Sequence, residues 1–273
     1  MKSAQWGSRK SAGRVGAVVL RAILFIIAMA LPLSAQAPGQ WAAYANLNRA
    51  RANHAAAALP NGQALIVGGV GASGTALKSA EIFNLSGNTF TTLPTGLPKG
   101  VSGLTATVLN DGTVLLAGGQ SSSGKSVSAA ELYNPSTSAF IKLPAMKNAR
   151  SNHTATLLQN GSVLLAGGEN VSSAPLKTLE IYNPVKKTFA LAAPLHSARQ
   201  DHTATLLDNG SVLIAGGSNA SGPLASAEIY DPTTNTVSEA GSLNEARTLA
   251  TASELLDFDG SVLIAGGQDA NGP

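Results

Sequence analysis

The sequence predicts an all-β protein, a β-propeller built from four-stranded antiparallel blades. Three observations carry that expectation. Gly-Gly pairs recur at Gly68-Gly69, Gly118-Gly119, Gly167-Gly168, Gly216-Gly217 and Gly266-Gly267, at intervals of 50, 49, 49 and 50 residues, and a fixed period of that size marks a solenoid, propeller or array. Every copy holds two short apolar or Thr-rich runs joined by Asn-Gly or Asp-Gly, the turn chemistry of a β-hairpin. Residue size rises along each copy, from small residues in the first run to aromatic rings in the last two. That gradient suits a radial wedge, crowded at its inner strand and wide at its outer one.

Within the copy that runs from Arg150 to Arg199, His153–Leu158 and Ser162–Ala166 are the first two strands, joined by Gln159-Asn160-Gly161. The second strand, Val163-Leu164-Leu165-Ala166, is apolar on both faces, as a strand between two neighbouring blades must be. Thr178–Tyr182 is the third strand and ends at Asn183-Pro184, where proline closes it. Phe189–Leu191 opens the fourth. The rings of strands three and four recur as Phe83, Tyr133, Tyr182 and Tyr230, then Phe90, Phe140 and Phe189.

A Glu follows each of the first four Gly-Gly pairs by thirteen residues (Glu81, Glu131, Glu180) or by twelve (Glu228), with an aromatic two residues beyond it. This pattern resembles the kelch motif. The wording His-Thr-Ala-Thr-Leu-Leu followed by Val-Leu-Leu-Ala-Gly-Gly is similar to bacterial kelch repeats of the galactose-oxidase central-domain kind. The resemblance covers about Trp41 to Pro273. It implies a propeller and says little about activity, since propellers host many unrelated ones.

In chain order, residues 1–35 are expected to be a secretory signal peptide. Lys2, Arg9, Lys10 and Arg14 precede an apolar stretch from Ala22 to Leu31, too short to span a bilayer, with small residues after it. The protein is thus expected to be exported to the periplasm, cell surface or exterior, with no membrane attachment after cleavage. The chain has no cysteine, hence no disulfide framework and no lipid anchor on one. That leader holds five of the 18 basic residues and none of the 15 acidic ones, so the whole-chain net charge of +3 becomes −2 without it. The basic balance belongs to the leader, and no nucleic-acid partner is expected.

The propeller is expected over residues 36–273. Trp41–Asn46 reads as a lone outer strand, because Trp41 stands thirteen residues before His54 just as Phe140 stands before His153. Four full blades follow, at about 51–98, 101–147, 150–196 and 199–244, and a partial one over 247–273. The second departs from the others where it begins: Lys99-Gly100-Val101-Ser102-Gly103-Leu104 replaces Arg-x-x-His. The partial blade stops before a third strand, so the ring is expected to be incomplete and the chain a piece of a longer propeller.

The strand directions place the loops after Gly-Gly and the inter-blade connections on one face. The loops Val70–Leu77, Gln120–Val127, Glu169–Leu176 and Ser218–Leu224 differ while their flanks repeat, and divergent loops on a repeated scaffold are where binding specificity resides. On that face Arg51, Arg150, Arg199 and Arg247 open the inner strand, and His54, His153 and His202 follow three residues later. They are candidate ligand contacts, and a ring of guanidinium groups suits anionic ligands. The competing reading pairs each Arg with Glu81, Glu131, Glu180 or Glu228 and makes the histidines hydrogen-bonded repeat positions. No nucleophile elbow, catalytic carboxylate pair or metal motif is present, and no cofactor or metal is expected. The leading expectation is a secreted, non-catalytic module that binds an unidentified protein or glycan. Two alternatives remain: a carbohydrate-active enzyme resembling galactose oxidase or the kelch-type sialate mutarotases, and an architectural module of a longer exported protein. The missing cysteine argues against the oxidase, whose copper-radical chemistry uses a Tyr–Cys cross-link.

Overall fold

The computed structural model describes residues 44–255, 260–270 and Gly272, and all of its regular structure is β. Blade one comprises β1 (Ala55–Ala58), β2 (Gln63–Val67), β3 (Ala80–Asn84) and β4 (Thr89–Thr92). A two-residue strand, β5 (Val101–Ser102), leads into blade two, which comprises β6 (Thr105–Val108), β7 (Val114–Ala117), β9 (Ala130–Asn134) and β10 (Ala139–Lys142). The intervening β8 (Gln120–Ser121) pairs with β5. Blade three comprises β11 (Thr154–Leu157), β12 (Val163–Ala166), β13 (Leu179–Asn183) and β14 (Thr188–Leu191). Blade four comprises β15 (Thr203–Leu206), β16 (Val212–Ala215), β19 (Ser226–Asp231) and β20 (Thr236–Ser242), with a small hairpin of β17 (Ser218–Asn219) and β18 (Gly222–Pro223) between its second and third main strands. A last hairpin pairs β21 (Thr251–Glu254) with β22 (Val262–Ala265).

Each blade is an antiparallel meander, and its strands pair in the order in which they occur. The Asn-Gly and Asp-Gly turns make these hairpins tight. In blade three the Leu158 N–H donates to Ser162 O at 2.8 Å, and Gly161 takes the positive φ of 81° that closes the turn. The first strands of successive blades lie side by side, β1 against β6, β6 against β11, β11 against β15 and β15 against β21. They form the inner wall of the propeller, as their small residues predict.

The core sits between blades rather than inside any one sheet. Three apolar clusters fill the spaces between blades one and two, two and three, and three and four. Tyr133 packs on blade one, Tyr182 on blade two and Tyr230 on blade three, so each outer ring seals the gap behind it. Rings on the outer strands also meet within a blade. Phe83–Phe90, Tyr133–Phe140 and Tyr182–Phe189 have centroids 4.8, 5.0 and 4.9 Å apart. Strand two is buried along its whole length in β7 and β12. In β22 the near-identical Val-Leu-Ile-Ala run is alternately half-buried and exposed, because among the described residues no blade covers its second face.

The Gly-Gly pairs have a packing reason. At Gly167 φ is 54°, and a Cβ there would collide with the Arg199 carbonyl. The next N–H, of Gly168, donates to that same carbonyl at 2.9 Å. The chain entering each blade thus runs directly over the Gly-Gly of the one before.

The expected signal peptide, residues 1–35, and Trp41–Ala43 lie outside the described residues. Tyr44–Asn46, the remainder of the expected lone outer strand, are described and form no strand. They correspond to Leu143–Ala145 of blade two, where the chain has already left its fourth strand and become the link to the next blade.

Candidate functional site

Arg51, Arg150 and Arg199 open the inner strands as expected, but their side chains turn away from solvent into their own blades. Each is fully buried and pairs at 2.7 Å with Glu81, Glu180 and Glu228, respectively. In blade three Arg150 Nη1 donates to Gly167 O at 2.7 Å and to Thr178 O at 3.2 Å, while Nη2 reaches Thr178 Oγ1 and Glu180 Oε1. Arg199 repeats this with Gly216 O, Ser226 and Glu228, and Arg51 with Gly68 O, Ser79 and Glu81. Of the two readings of these arginines, pairing with the glutamates is the one found for Arg51, Arg150 and Arg199, and the ring of ligand-facing guanidinium groups gives way to three internal ion pairs. Burying a guanidinium is costly unless its donors are met. The Gly-Gly carbonyl, the strand-three carbonyl and hydroxyl and the Glu meet the Nη donors, while Nε of Arg51, Arg150 and Arg199 is buried without a hydrogen-bond partner.

The carboxylate does a second job. Glu180 also accepts from Lys147 N–H and Asn148 N–H at 2.7 and 2.8 Å. Glu228 accepts from His196 and Ser197 N–H, and Glu81 from Asn48 and Arg49 N–H. Each Glu therefore fastens the link arriving from the preceding blade. Burial alone would raise Glu228, yet the donors His196 N–H, Arg199 and Ser197 N–H bring its pKa below the usual range.

Blade two lacks this arrangement. Val101 stands where the others carry Arg, Ala129 replaces Ser79, Thr178 or Ser226, and Pro98 occupies the link position where Asn48 and Lys147 donate an N–H. Glu131 is 9% exposed and receives no hydrogen bond or ion pair among the described residues. Its pKa is raised by burial, against the opposing charge of Lys142 across the strand pair. Arg247, in the last hairpin, donates to Gly266 O at 2.7 Å and touches the exposed Glu245 at 3.5 Å.

The histidines divide. His153 and His202 are buried, and their Nε2 atoms lie 3.1 and 3.0 Å from the hydroxyls of Thr105 and Thr154 on the preceding inner strands. Burial, then the charges of Arg199 and Arg150, depress His202 to about 3; burial, then Arg150 and His202, hold His153 well below its ordinary value. Both are neutral links between adjacent inner strands. His54, on blade one, is exposed.

The groups at the loop side include the first residues of the divergent loops, which the sequence points to, and the residue just before each His position, which it does not. The residue just before each His position adopts a left-handed φ: 52° at Asn53, 61° at Gly103, 54° at Asn152, 52° at Asp201 and 57° at Leu249. Asn and Asp tolerate that conformation better than most residues. Asp201 N–H donates to Asn152 O at 3.0 Å and Leu249 N–H to Asp201 O at 2.9 Å, so these turns are tied blade to blade. Beside them the residue after each Gly-Gly bridges the residue after the Arg position: Val70 with Ala52, Glu169 with Ser151, Ser218 with Gln200, Gln268 with Thr248. In blade two Gln120 pairs with Ser102 in the same way.

These positions converge on a polar cluster at the loop-side end of the inner strands. Glu169 accepts from Gln120 Nε2 at 2.9 Å, Ser151 Oγ at 3.0 Å and Asn152 Nδ2 at 3.3 Å. Burial and the neighbouring Glu169 raise the Asp201 carboxyl above its ordinary pKa. The signal available in the sequence was a position between Arg and His that is Asn, Gly, Asn and Asp in successive copies, which is the set that accepts positive φ. Among the described residues no group of His, Asp and Glu is placed to hold a metal ion.

A family model described as the kelch motif matches residues 50–96 and 202–244. Among solved structures, one titled "Structure of YjhT" superposes with a TM-score of 0.70 at 16% identity, covering 85% of this chain and 82% of that one. No curated protein sequence matches. Fold and motif together identify the repeat architecture as a kelch-type β-propeller.

Proposed function

We propose that this kelch-type propeller is an exported, non-catalytic binding module that engages a protein or glycan through its loop face. One observation supports this above the others. The repeated Arg51, Arg150 and Arg199 are spent inside the blades, whereas the residues at the loop-side end of the inner strands vary from copy to copy and are mostly polar. Asn53, Gln120, Asn152, Asp201 and Ser218 present amides, a carboxyl and a hydroxyl, the groups that read sugar hydroxyls or a peptide backbone. With the arginines internal, an anionic ligand has no special claim. A neutral glycan or a polar peptide segment is the better fit.

The test is a binding screen of the purified protein against neutral glycans, acidic glycans and peptides, followed by Asn152→Gly and Asp201→Gly, in which glycine keeps the left-handed φ of 54° and 52°. Loss of binding in both variants, with the fold retained, supports the reading. Binding that survives both changes, or that goes only to acidic ligands, overturns it, as would turnover of any sugar in the screen.

A further inference from the structure

Blade two holds a socket shaped by the same fold that grips an arginine in blades one, three and four, and in blade two the chain supplies no arginine to it. We propose that this socket binds the guanidinium of an arginine side chain from a partner polypeptide. The proposal stands apart from the loop-face reading, since it concerns a different set of residues on one blade.

Three features carry it. The acceptors are in place. Gly118 O, Ala129 O and the Glu131 carboxylate are the counterparts of Gly167 O, Thr178 O and Glu180, which together hold Arg150 through both Nη1 and Nη2. Ala129 O already accepts from Gly118 N–H at 2.9 Å, just as Thr178 O accepts from Gly167 N–H while also holding Arg150. A carbonyl oxygen has two lone pairs, so the second is free for an incoming donor.

The space is open. A cleft of about 500 Å³ lies over these atoms and includes Gly118, Ala129 and Glu131 in its lining. Its other walls are largely apolar, among them Leu97, Val101, Val127 and Leu143, which suits the methylene stem of a long cationic side chain. Ala129 is exposed, whereas its counterparts Ser79 and Thr178 lie half-buried beneath their arginines.

The carboxylate is not engaged by the chain's own hydrogen bonds. Glu131 is nine-tenths buried and aimed at the cleft without a hydrogen bond, because Val101 removes the guanidinium and Pro98 removes a link N–H. Burial works against the Glu131 charge, with Lys142 across the strand pair as the opposing charge, and a guanidinium entering the cleft offsets that cost. Lys99 and Lys142 edge the cleft, but neither forms an ion pair with Glu131 within 4.0 Å. Guanidinium is favoured over ammonium because three acceptors in this layout are met by a planar fork in every other blade, which a point-like ammonium matches less well.

The experiment titrates the purified protein with N-acetyl-arginine methylamide, its neutral citrulline counterpart and its lysine counterpart, following amide chemical shifts by NMR. Saturable shifts at Ala129, Ala130 and Glu131 are expected with the arginine probe and none with citrulline, with the lysine probe at least threefold weaker. Glu131→Gln should weaken arginine binding at least tenfold. Val101→Arg, which supplies the missing side chain from within, should abolish it. If Val101→Arg does not fold, Glu131→Gln alone decides. Equal binding of arginine and citrulline, or unchanged binding in Glu131→Gln, overturns the proposal. So does an absence of binding that is relieved by Lys99→Ala, which would make the chain's own lysine the occupant.

Discussion

Removing Arg150 tests whether the internal ion pairs are the scaffold's fasteners. Arg150→Ala deletes four hydrogen-bonding contacts at 2.7–3.2 Å, to Gly167 O, both acceptors of Thr178, and Glu180. It leaves Gly167 O without that donor and Glu180 without its only cation. Glu180 keeps two amide donors, from Lys147 and Asn148, which moderates the penalty but leaves the charge uncompensated. Breaking a buried pair from one side costs roughly 3–5 kcal/mol. For a chain of this size that corresponds to a melting temperature lower by about 10 °C. The assay is urea unfolding followed by circular dichroism, with Arg247→Ala in parallel. Arg247 lies in the partial blade, where its bonds to Gly266 O and to the exposed Glu245 are open to solvent, and its loss should change stability by less than about 1 kcal/mol. Equal effects in the two variants would refute the argument. So would an Arg150→Ala change within about 0.5 kcal/mol, the range of ordinary surface substitutions.

Four further outcomes are expected. His202 is held at about 3 when folded and returns to an ordinary value when unfolded, so its share of stability is complete above the unfolded pKa and is lost as pH falls; by pH 4.5 it should cost roughly 3 kcal/mol, and His202→Gln should flatten that part of the pH–stability curve. Glu131 runs the other way: its folded pKa is raised, so its unfavourable contribution appears as pH rises through that pKa, and Glu131→Gln should stabilise the protein at pH 7 with a gain that fades in acid. Gly167→Ala meets both the Arg199 carbonyl and a positive φ, and should destabilise by about 2 kcal/mol or more in the same urea assay. Leu249 and Leu263 are more than half exposed on and beside the last hairpin, so the protein should self-associate in sedimentation runs and Leu249→Ser/Leu263→Ser should reduce this.

Blade boundaries, hairpins and the inner-to-outer order of strands were legible because each follows from local chemistry: Asn160-Gly161 turns, Asn183-Pro184 stops, and Val163–Ala166 is apolar on both faces. The direction of the arginines was legible only as two alternatives, a solvent-facing ring or pairs with the glutamates. Spacing puts Arg150 at the loop-side end of the inner strand, but whether it points to solvent or to Glu180 depends on the Gly167 carbonyl and Thr178, which are brought together only when strands two and three pair. Tyr44–Asn46 were read as strand although they form none, because they carry no residue that distinguishes strand from link. The blade-two socket was partly visible. Val101, Pro98 and Ala129 each depart from the repeat, yet in one dimension they read as three unrelated substitutions. Only the fold places all three around one carboxylate.

The way Glu81, Glu180 and Glu228 seize the incoming link bears on how such a chain grows. Each accepts two main-chain amides, and main-chain amides are offered by every residue except proline. The fastening is therefore nearly blind to the side chains of the segment it grips, and its specific half, the Arg and the Glu, travels together within one repeat. A duplication or deletion of one whole repeat delivers a working joint at both new junctions without compensating substitutions. Recombination can lengthen or shorten such a protein freely, and the positions it must protect are few: one arginine, one glutamate and a link free of proline.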